Sequence, residues 1–242
     1  PIQMVHEHAD LPWEEWDWQD IPDWHSTLKE LFVKEGERGF DLTKAPLMRF
    51  YLIQLAPQKT LFVWVNHHLL LDGWSTSILM GKLADYYQRL GEGRTLPTKQ
   101  PVRYRDYIAW LVDQSEAEAM AYWSRYLDGF TEPTILSIKK SVQNNGIFQM
   151  ATQELLFDEI ETQHLTSWTK KQGITLNTLF QGIWGLILQR YTGQEDVVFG
   201  NVVSGRASGL ANIQEQVGLL INTLPLRIQF NTDMTGLSYL KE

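Results

Sequence analysis

A mixed α/β fold is predicted by three observations. Residues 47–55 and 61–66 are two runs of apolar, β-branched and aromatic residues separated by the turn-forming "APQKT", the pattern of an antiparallel strand pair. Several segments carry apolar residues at helical spacing, as with Leu28, Leu31 and Phe32. The second half then repeats the mixture of strands and helices without repeating the sequence, and there is no internal repeat or low-complexity tract.

Taken in order, residues 1–23 are acidic, rich in tryptophan and punctuated by proline, which predicts an extended lead-in without regular structure. A helix is expected over 24–35, then a turn through "GFDLTKAPLMRF", then the strand pair. Residues 75–90 read as a helix ending at "GEG", with Ser75 as its cap and Trp74 at its start. Helices follow over 104–113 and 117–127, and a long connection over 131–146. Beyond it the pattern predicts a strand over 151–157, helices over 159–171 and 176–191, a strand in "VVFGNVVS", a glycine- and alanine-rich stretch, and a strand in "VGLLINTLPLRIQF". The helix over 176–191 is apolar nearly all round and is expected to be buried. A domain boundary is expected in the connection 131–150. Trp64, Trp110, Trp123, Trp168 and Trp184 fall on apolar faces and are expected in the core.

The 242 residues, 43% of them hydrophobic, suffice for one large domain or two small ones. The absence of cysteine excludes disulfides, thiolate-bound zinc and a cysteine nucleophile. No apolar run reaches the roughly 20 residues that cross a bilayer, and no signal-peptide pattern opens the chain. The reading is a soluble, cytoplasmic protein that does not act at a membrane. A net charge of -8 argues against non-specific nucleic-acid binding, which needs a basic face. "GNVVSGR" lacks the P-loop lysine and the Rossmann glycine spacing, so nucleotide binding is disfavoured. Because the chain starts at Pro1 and ends within a helix-like "TGLSYLKE", it reads as a piece of a longer polypeptide.

The chemistry concentrates in "NHHLLLDGWS", residues 66–75. Neighbouring side chains on a strand point to opposite faces, so if the strand persists, only one of His67 and His68 faces a given cleft. Asp72, four residues beyond His68, either orients an imidazole or holds the loop by pairing with an arginine. Gly73 offers a place for close approach by a backbone or a slim ligand. A metal site is disfavoured, since adjacent strand histidines diverge and no third nitrogen or thiolate ligand stands at the usual spacing.

"HHLLLDGWS" resembles the HHxxxDG signature of the condensation domains of nonribosomal peptide synthetases, a signature shared more loosely by other acyltransferases of the chloramphenicol-acetyltransferase-like fold. "YRDYIAW", residues 104–110, is similar to the family's Tyr-x-Asp-Tyr/Phe-Ala-x-Trp motif, with Ile108 and Ala109 departing from it. "VGLLINTLPLR", residues 217–227, is similar to its Gly-x-Phe-Val-Asn-Thr-x-x-x-Arg motif, with Leu220 replacing the usual Phe. "EDVVFGNVVSGR" matches a further segment, and all four stand in the family's order. The family's Arg-His-Glu-x-Leu-Arg string and its closing motifs have no match. The resemblance thus implies an internal fragment of the domain. Residues 1–135 would be most of the N-terminal lobe, and 136–242 a linker and the truncated start of the C-terminal lobe.

The same resemblance implies an acyltransferase that forms a peptide bond between a carrier-bound donor acyl or peptidyl thioester and a carrier-bound acceptor aminoacyl thioester. His68 would be the catalytic residue, as proton acceptor or as positioner of the amine. His67 and Asp72 would be structural, and Asp72 would pair with Arg227. Gly73 would line the passage of the donor pantetheine arm, and Tyr104, Asp106 and Tyr107 would pack and hydrogen-bond. No cofactor would bind directly, since the substrates ride on the phosphopantetheine of partner carrier domains. The implied partners are donor and acceptor peptidyl carrier domains and an adjacent adenylation domain. "LPWEEWDW", "HHLLLDGWS" and "NTLPLR" resemble domains that accept a D-configured donor. An ester-forming acyltransferase of the same fold and a non-catalytic carrier-binding module are the other readings.

Overall fold

The computed structural model describes residues 2–98, 100–136, 152–231 and 235–241. The chain forms two compact units. The first holds residues 1–114 and 204–222, the second 115–203 and 223–242. Of the connection 131–150, in which a boundary was expected, residues 137–150 lie outside the described residues.

In the first unit, β1 (Trp13–Asp17), β2 (Met48–Ala56) and β3 (Lys59–Asn66) form one sheet in that order. β2 and β3 are the expected antiparallel hairpin, with Phe50 opposite Trp64 and Ile53 opposite Leu61. β1 corrects the expectation of an irregular lead-in, because it pairs parallel with β2, Trp16 beside Ile53. Alternation explains it. Trp16 and Trp18 point to the face carrying Tyr51, Ile53 and Val63, and Trp13 to the opposite face beside Phe50. Helix α1 (Trp24–Arg38), capped by the Asp23 carboxylate on the Ser26 N–H, closes that core with Leu28 and Leu31, whereas Phe32 stays exposed. Its C-terminal Gly39 has φ 55° and ψ −155°, a region open essentially to glycine alone. Gly39→Ala is therefore expected to cost about 1–3 kcal/mol in a denaturant melt.

Helices α2 (Gly73–Gly91) and α3 (Tyr104–Val112) complete the first unit with the segment 204–222, which contains two short 3-10 turns, Gly205–Ala207 and Ile213–Glu215. The N-cap of α2 is Asp72, not Ser75 as the sequence suggested. Both residue types cap well, but Asp72 has the extended backbone a cap requires and Ser75 lies inside the first turn.

The second unit contains α4 (Glu116–Tyr126), α5 (Glu159–Gln172), α6 (Leu176–Thr192), β4 (Asp196–Ser204), β5 (Ile221–Gln229) and α7 (Gly236–Tyr239), with β4 paired to β5. Asp158 and Glu161 form a capping box at the start of α5, which is followed by a left-handed Gly173. The strand expected over 151–157 is not formed: residues 152–157 are irregular and exposed, and 151 lies outside the described residues. Helix α6 departs from its expected burial. Its buried positions are Gly182, Gly185 and Leu188, while Phe180, Ile183, Trp184 and Tyr191 are exposed. The two glycines explain which face is covered. The Tyr239 hydroxyl donates to the Gly182 carbonyl at 2.8 Å, and a Cβ at Gly185 would run into Ile228 and Tyr239. None of the five tryptophans expected in the core is fully buried. Trp64, Trp110 and Trp123 are half-buried, and Trp168 and Trp184 exposed.

Candidate active site

Strand β3 ends at Asn66, just before the histidines. His67 extends the ladder by one bond, its N–H donating to the Leu47 carbonyl at 2.9 Å, and the chain then turns through residues 68–70. Strand alternation accordingly does not govern the histidine pair; the turn does. The Leu69 N–H donates to His67 Nδ1 at 3.1 Å, so Nδ1 acts as acceptor and Nε2 carries the proton of the neutral ring. The half-buried His67 ring also meets Phe40 edge-on, with centroids 6.2 Å apart at 83°. His68 is exposed, and its imidazole makes no hydrogen bond with any described residue.

Two residues beyond the turn the chain enters a buried polar lock. Asp72, 1% exposed, accepts at Oδ1 from the Ser75 N–H at 2.7 Å and from Arg206 Nη2 at 3.2 Å, and at Oδ2 from the Leu220 N–H at 3.1 Å. Ser75, fully buried, donates its hydroxyl to the Gly218 carbonyl at 2.8 Å and accepts from the Gly218 N–H at 3.0 Å and Arg206 Nη2 at 3.1 Å. Arg206, 4% exposed, spends Nη1 on the carbonyls of Ile213 and Gln216 at 2.7 and 2.8 Å. The Trp74 indole bonds the Gln214 carbonyl at 3.3 Å, and Arg206 lies over its ring at 5.7 Å. Burial pushes the Asp72 carboxyl up, but the bonds from Ser75 and Leu220 and the charge of Arg206 outweigh it and hold the group below its ordinary value.

The arginine that pairs with Asp72 is thus Arg206, which corrects the expected pairing with Arg227. Arg227 sits on β5 and forks onto Asp196 of β4, with Nε and Nη2 at 3.0 and 2.7 Å, while its Nη1 bonds the carbonyls of Tyr126 and Asp128. That planar two-point match favours the strand neighbour. The hydrogen bonds from Arg227 hold the Asp196 carboxyl below its usual value.

Tyr104 and Tyr107 close the lock from α3. The Tyr104 hydroxyl, its pKa raised by burial, donates to the Leu219 carbonyl at 2.8 Å, and its ring lies so near Gly218 that a Cβ there would run into it. A Cβ at Gly205 would meet the Tyr107 hydroxyl at 2.7 Å. Tyr107, Ile213 and Leu220 form a buried apolar cluster beneath. Asp106, by contrast, is exposed and pairs with Arg103 at 3.3 Å. Residues from four separated sequence strings therefore meet in one unit. At Gly73 a Cβ would meet no described heavy atom within 4 Å. Among the described residues no group of three His, Cys, Asp or Glu side chains is placed to hold a metal ion.

The condensation-domain family model matches residues 1–242. The chain belongs to the condensation domains of nonribosomal peptide synthetases. This condensation-domain chain is 38% identical to gramicidin S synthase 2 of Brevibacillus brevis over 214 residues, 88% of this chain and 5% of that protein. It is 40% identical to bacitracin synthase 3 of Bacillus licheniformis over 208 residues, 84% of this chain and 3% of that protein. The chain therefore spans a small fraction of the curated relatives it matches. Among solved structures, the first condensation domain of the calcium-dependent antibiotic synthetase, bound to a substrate analogue, superposes with a TM-score of 0.75 at 21% identity, covering 95% of this chain and 53% of that one. The structure describing condensation domain-mediated chain release from the enacyloxin polyketide synthase matches with a TM-score of 0.72 at 21% identity, covering 98% and 47%. These likenesses carry the fold, the chloramphenicol-acetyltransferase-like class expected from the sequence.

Proposed function

We propose that this condensation domain joins a donor acyl or peptidyl thioester to the amine of an acceptor aminoacyl thioester, with His68 at the reacting amine. The observation that carries the reading is a contrast within one short string. His67 and Asp72 are tied into the fold, whereas His68 is exposed and its ring is free of hydrogen bonds to described residues. An imidazole held on a fixed turn yet unspent on the fold is available to a substrate. The amine nitrogen bonds to the thioester carbon, the C–S bond breaks, and the amine's proton leaves by way of His68 to the departing thiolate. A free α-amino group has a pKa of about 7.7–8.0, so a strong base is not required.

The reading extends to partners. Donor and acceptor arrive on the phosphopantetheine of carrier domains, an adenylation domain loads the acceptor, and the assembly works in the cytoplasm. The sequence resemblance to D-accepting domains supports a D-configured donor. Gly73 supports a passage for the donor arm, because nothing in the described chain demands glycine there. Gly73→Leu is accordingly expected to leave the melting temperature unchanged and to raise the KM for the donor thioester about tenfold or more, as steady-state kinetics on the full-length protein would show.

The deciding experiment offers the full-length protein a carrier-bound donor with a D- or L-configured terminus and a carrier-bound amino acid or 2-hydroxy acid, and reads product mass. Amide together with free carrier thiol, faster from the D-donor, is the expected outcome. Ester in preference to amide would make it an ester-forming acyltransferase, and carrier binding without any product would make it a docking module.

A further inference from the structure

We propose that Phe40 is a positioning residue for the histidine turn, coupling it to the buried ion pair whose arginine lies over its ring. The inference rests on the reading that His68 acts at the reacting amine. Glu35 of α1 and Arg49 of β2 are 7% and 8% exposed. Arg49 Nε donates to Glu35 Oε2 at 2.5 Å, Arg49 Nη1 to the Gly39 carbonyl at 3.0 Å, and the Tyr51 hydroxyl to Glu35 Oε1 at 2.8 Å. A buried ion pair of this kind contributes little stability beyond what apolar residues of the same volume would supply, so stability alone does not account for it. What it does supply is a rigid, planar, fixed guanidinium.

Arg49 Cζ lies over the Phe40 ring, 4.0 Å from its centroid. The same ring meets His67 edge-on. Around His67 the N–H donates to the Leu47 carbonyl, its own carbonyl accepts from the Leu70 N–H at 3.1 Å and from Asn66 Nδ2 at 3.3 Å, and its Nδ1 accepts from the Leu69 N–H. The first three hold the backbone, the last holds one ring nitrogen, and Phe40 fixes the tilt of the ring. Since the Leu69 N–H points to that same Nδ1, a tilted His67 ring moves the turn that holds His68. Glu35, Arg49, Phe40 and His67 thus form a continuous series of contacts from the sheet core to the residue beside the reacting one.

The test compares Phe40→Leu, Phe40→Tyr and His68→Ala with the parent in the full-length protein, measuring kcat, both KM values and the melting temperature. Leucine keeps apolar bulk and removes the ring. The expected result is a fall in kcat of about 10-fold to 10²-fold, the scale of a small misplacement of a reacting group. Both KM values should stay at the parent's, the melting temperature should fall only by the lost ring contacts with Arg49 and His67 so that the variant stays folded under assay, and Phe40→Tyr should stay close to the parent throughout. If His68→Ala abolishes turnover while Phe40→Leu leaves kcat unchanged, or lowers it only in step with the folded fraction, the inference is overturned and the functional reading stands. If His68→Ala turns over normally, the functional reading fails and takes this inference with it. Where Phe40→Leu does not fold, Arg49→Lys decides: it keeps the charge opposite Glu35 and loses the planar face under Phe40. An unchanged kcat in Arg49→Lys overturns the inference.

Discussion

His68→Ala is expected to lower turnover of the full-length protein by about 10²- to 10⁴-fold, the range for removing a positioned acid–base group. Stability should stay within about 0.5 kcal/mol of the parent, because the side chain is exposed and holds no hydrogen bond among the described residues. Single-turnover amide formation and a thermal melt on the same preparation give both numbers. His67→Ala provides the contrast. It removes the acceptor of the Leu69 N–H and the ring that packs on Phe40, so it should cost about 1 kcal/mol of stability as well as activity. Carrier binding should survive in His68→Ala. Turnover equal to the parent's would remove His68 from the chemistry and leave the docking reading in its place. A pH–rate profile of His68→Asn beside the parent separates the two roles: loss of one limb marks a proton acceptor, and an unchanged shape at lower rate marks a positioner.

How legible such a site is in sequence depends on how local its contacts are. The hairpin of β2 and β3 and the helices α1, α5 and α6 follow from periodicity and caps within a dozen residues, and they stand where the pattern puts them. β1 was not legible for the same reason in reverse. It is five residues long, and its partner β2 begins more than thirty positions later, so no turn chemistry announces the pairing. The segment 152–157 failed the other way, its consecutive apolar residues Leu155, Leu156 and Phe157 reading as a short strand but having no strand to pair with among the described residues. For α6, apolar content overstated burial, because coverage follows the glycine face at Gly182 and Gly185.

Within the candidate site, "HHLLLDG" stands out by its residue types, but those types do not name the partner of its carboxylate. Asp72 and Arg206 are 134 positions apart, and composition cannot say which arginine returns to meet a given aspartate. One signal was available: Arg206 closes "VVSGR" between glycine-containing stretches, where a chain turns tightly enough to aim a side chain back into a core. Ser75 was undervalued likewise, since capping propensity is local and its bonds to Gly218 are not.

Arg206→Met is expected to cost about 3–5 kcal/mol, because it strands the Asp72 carboxylate in a site where only 1% of its surface meets water. Methionine fills much of the volume, so the loss measures the charge and its hydrogen bonds. Asp72→Asn/Arg206→Met should recover part of that cost and not all of it. The carbonyls of Ile213 and Gln216 lose their buried donor in both variants, and neither asparagine nor methionine replaces it. The pH dependence has a definite sign. The folded-state pKa of Asp72 lies below the unfolded value of 3.8, so its contribution is fully present above that value and is lost as pH falls through the folded one. Removing Arg206 takes away one of the influences that lower the pKa and leaves the burial that raises it. The acid-unfolding midpoint of Arg206→Met should therefore move to higher pH than the parent's. Denaturant melts of the two single variants and the double variant, repeated down a pH series, give the coupling directly. A single-variant cost under about 1 kcal/mol would mean that water or a rotated side chain already satisfies Asp72. The four strings that meet at this lock would then be held by the Tyr104, Tyr107 and Leu220 packing instead.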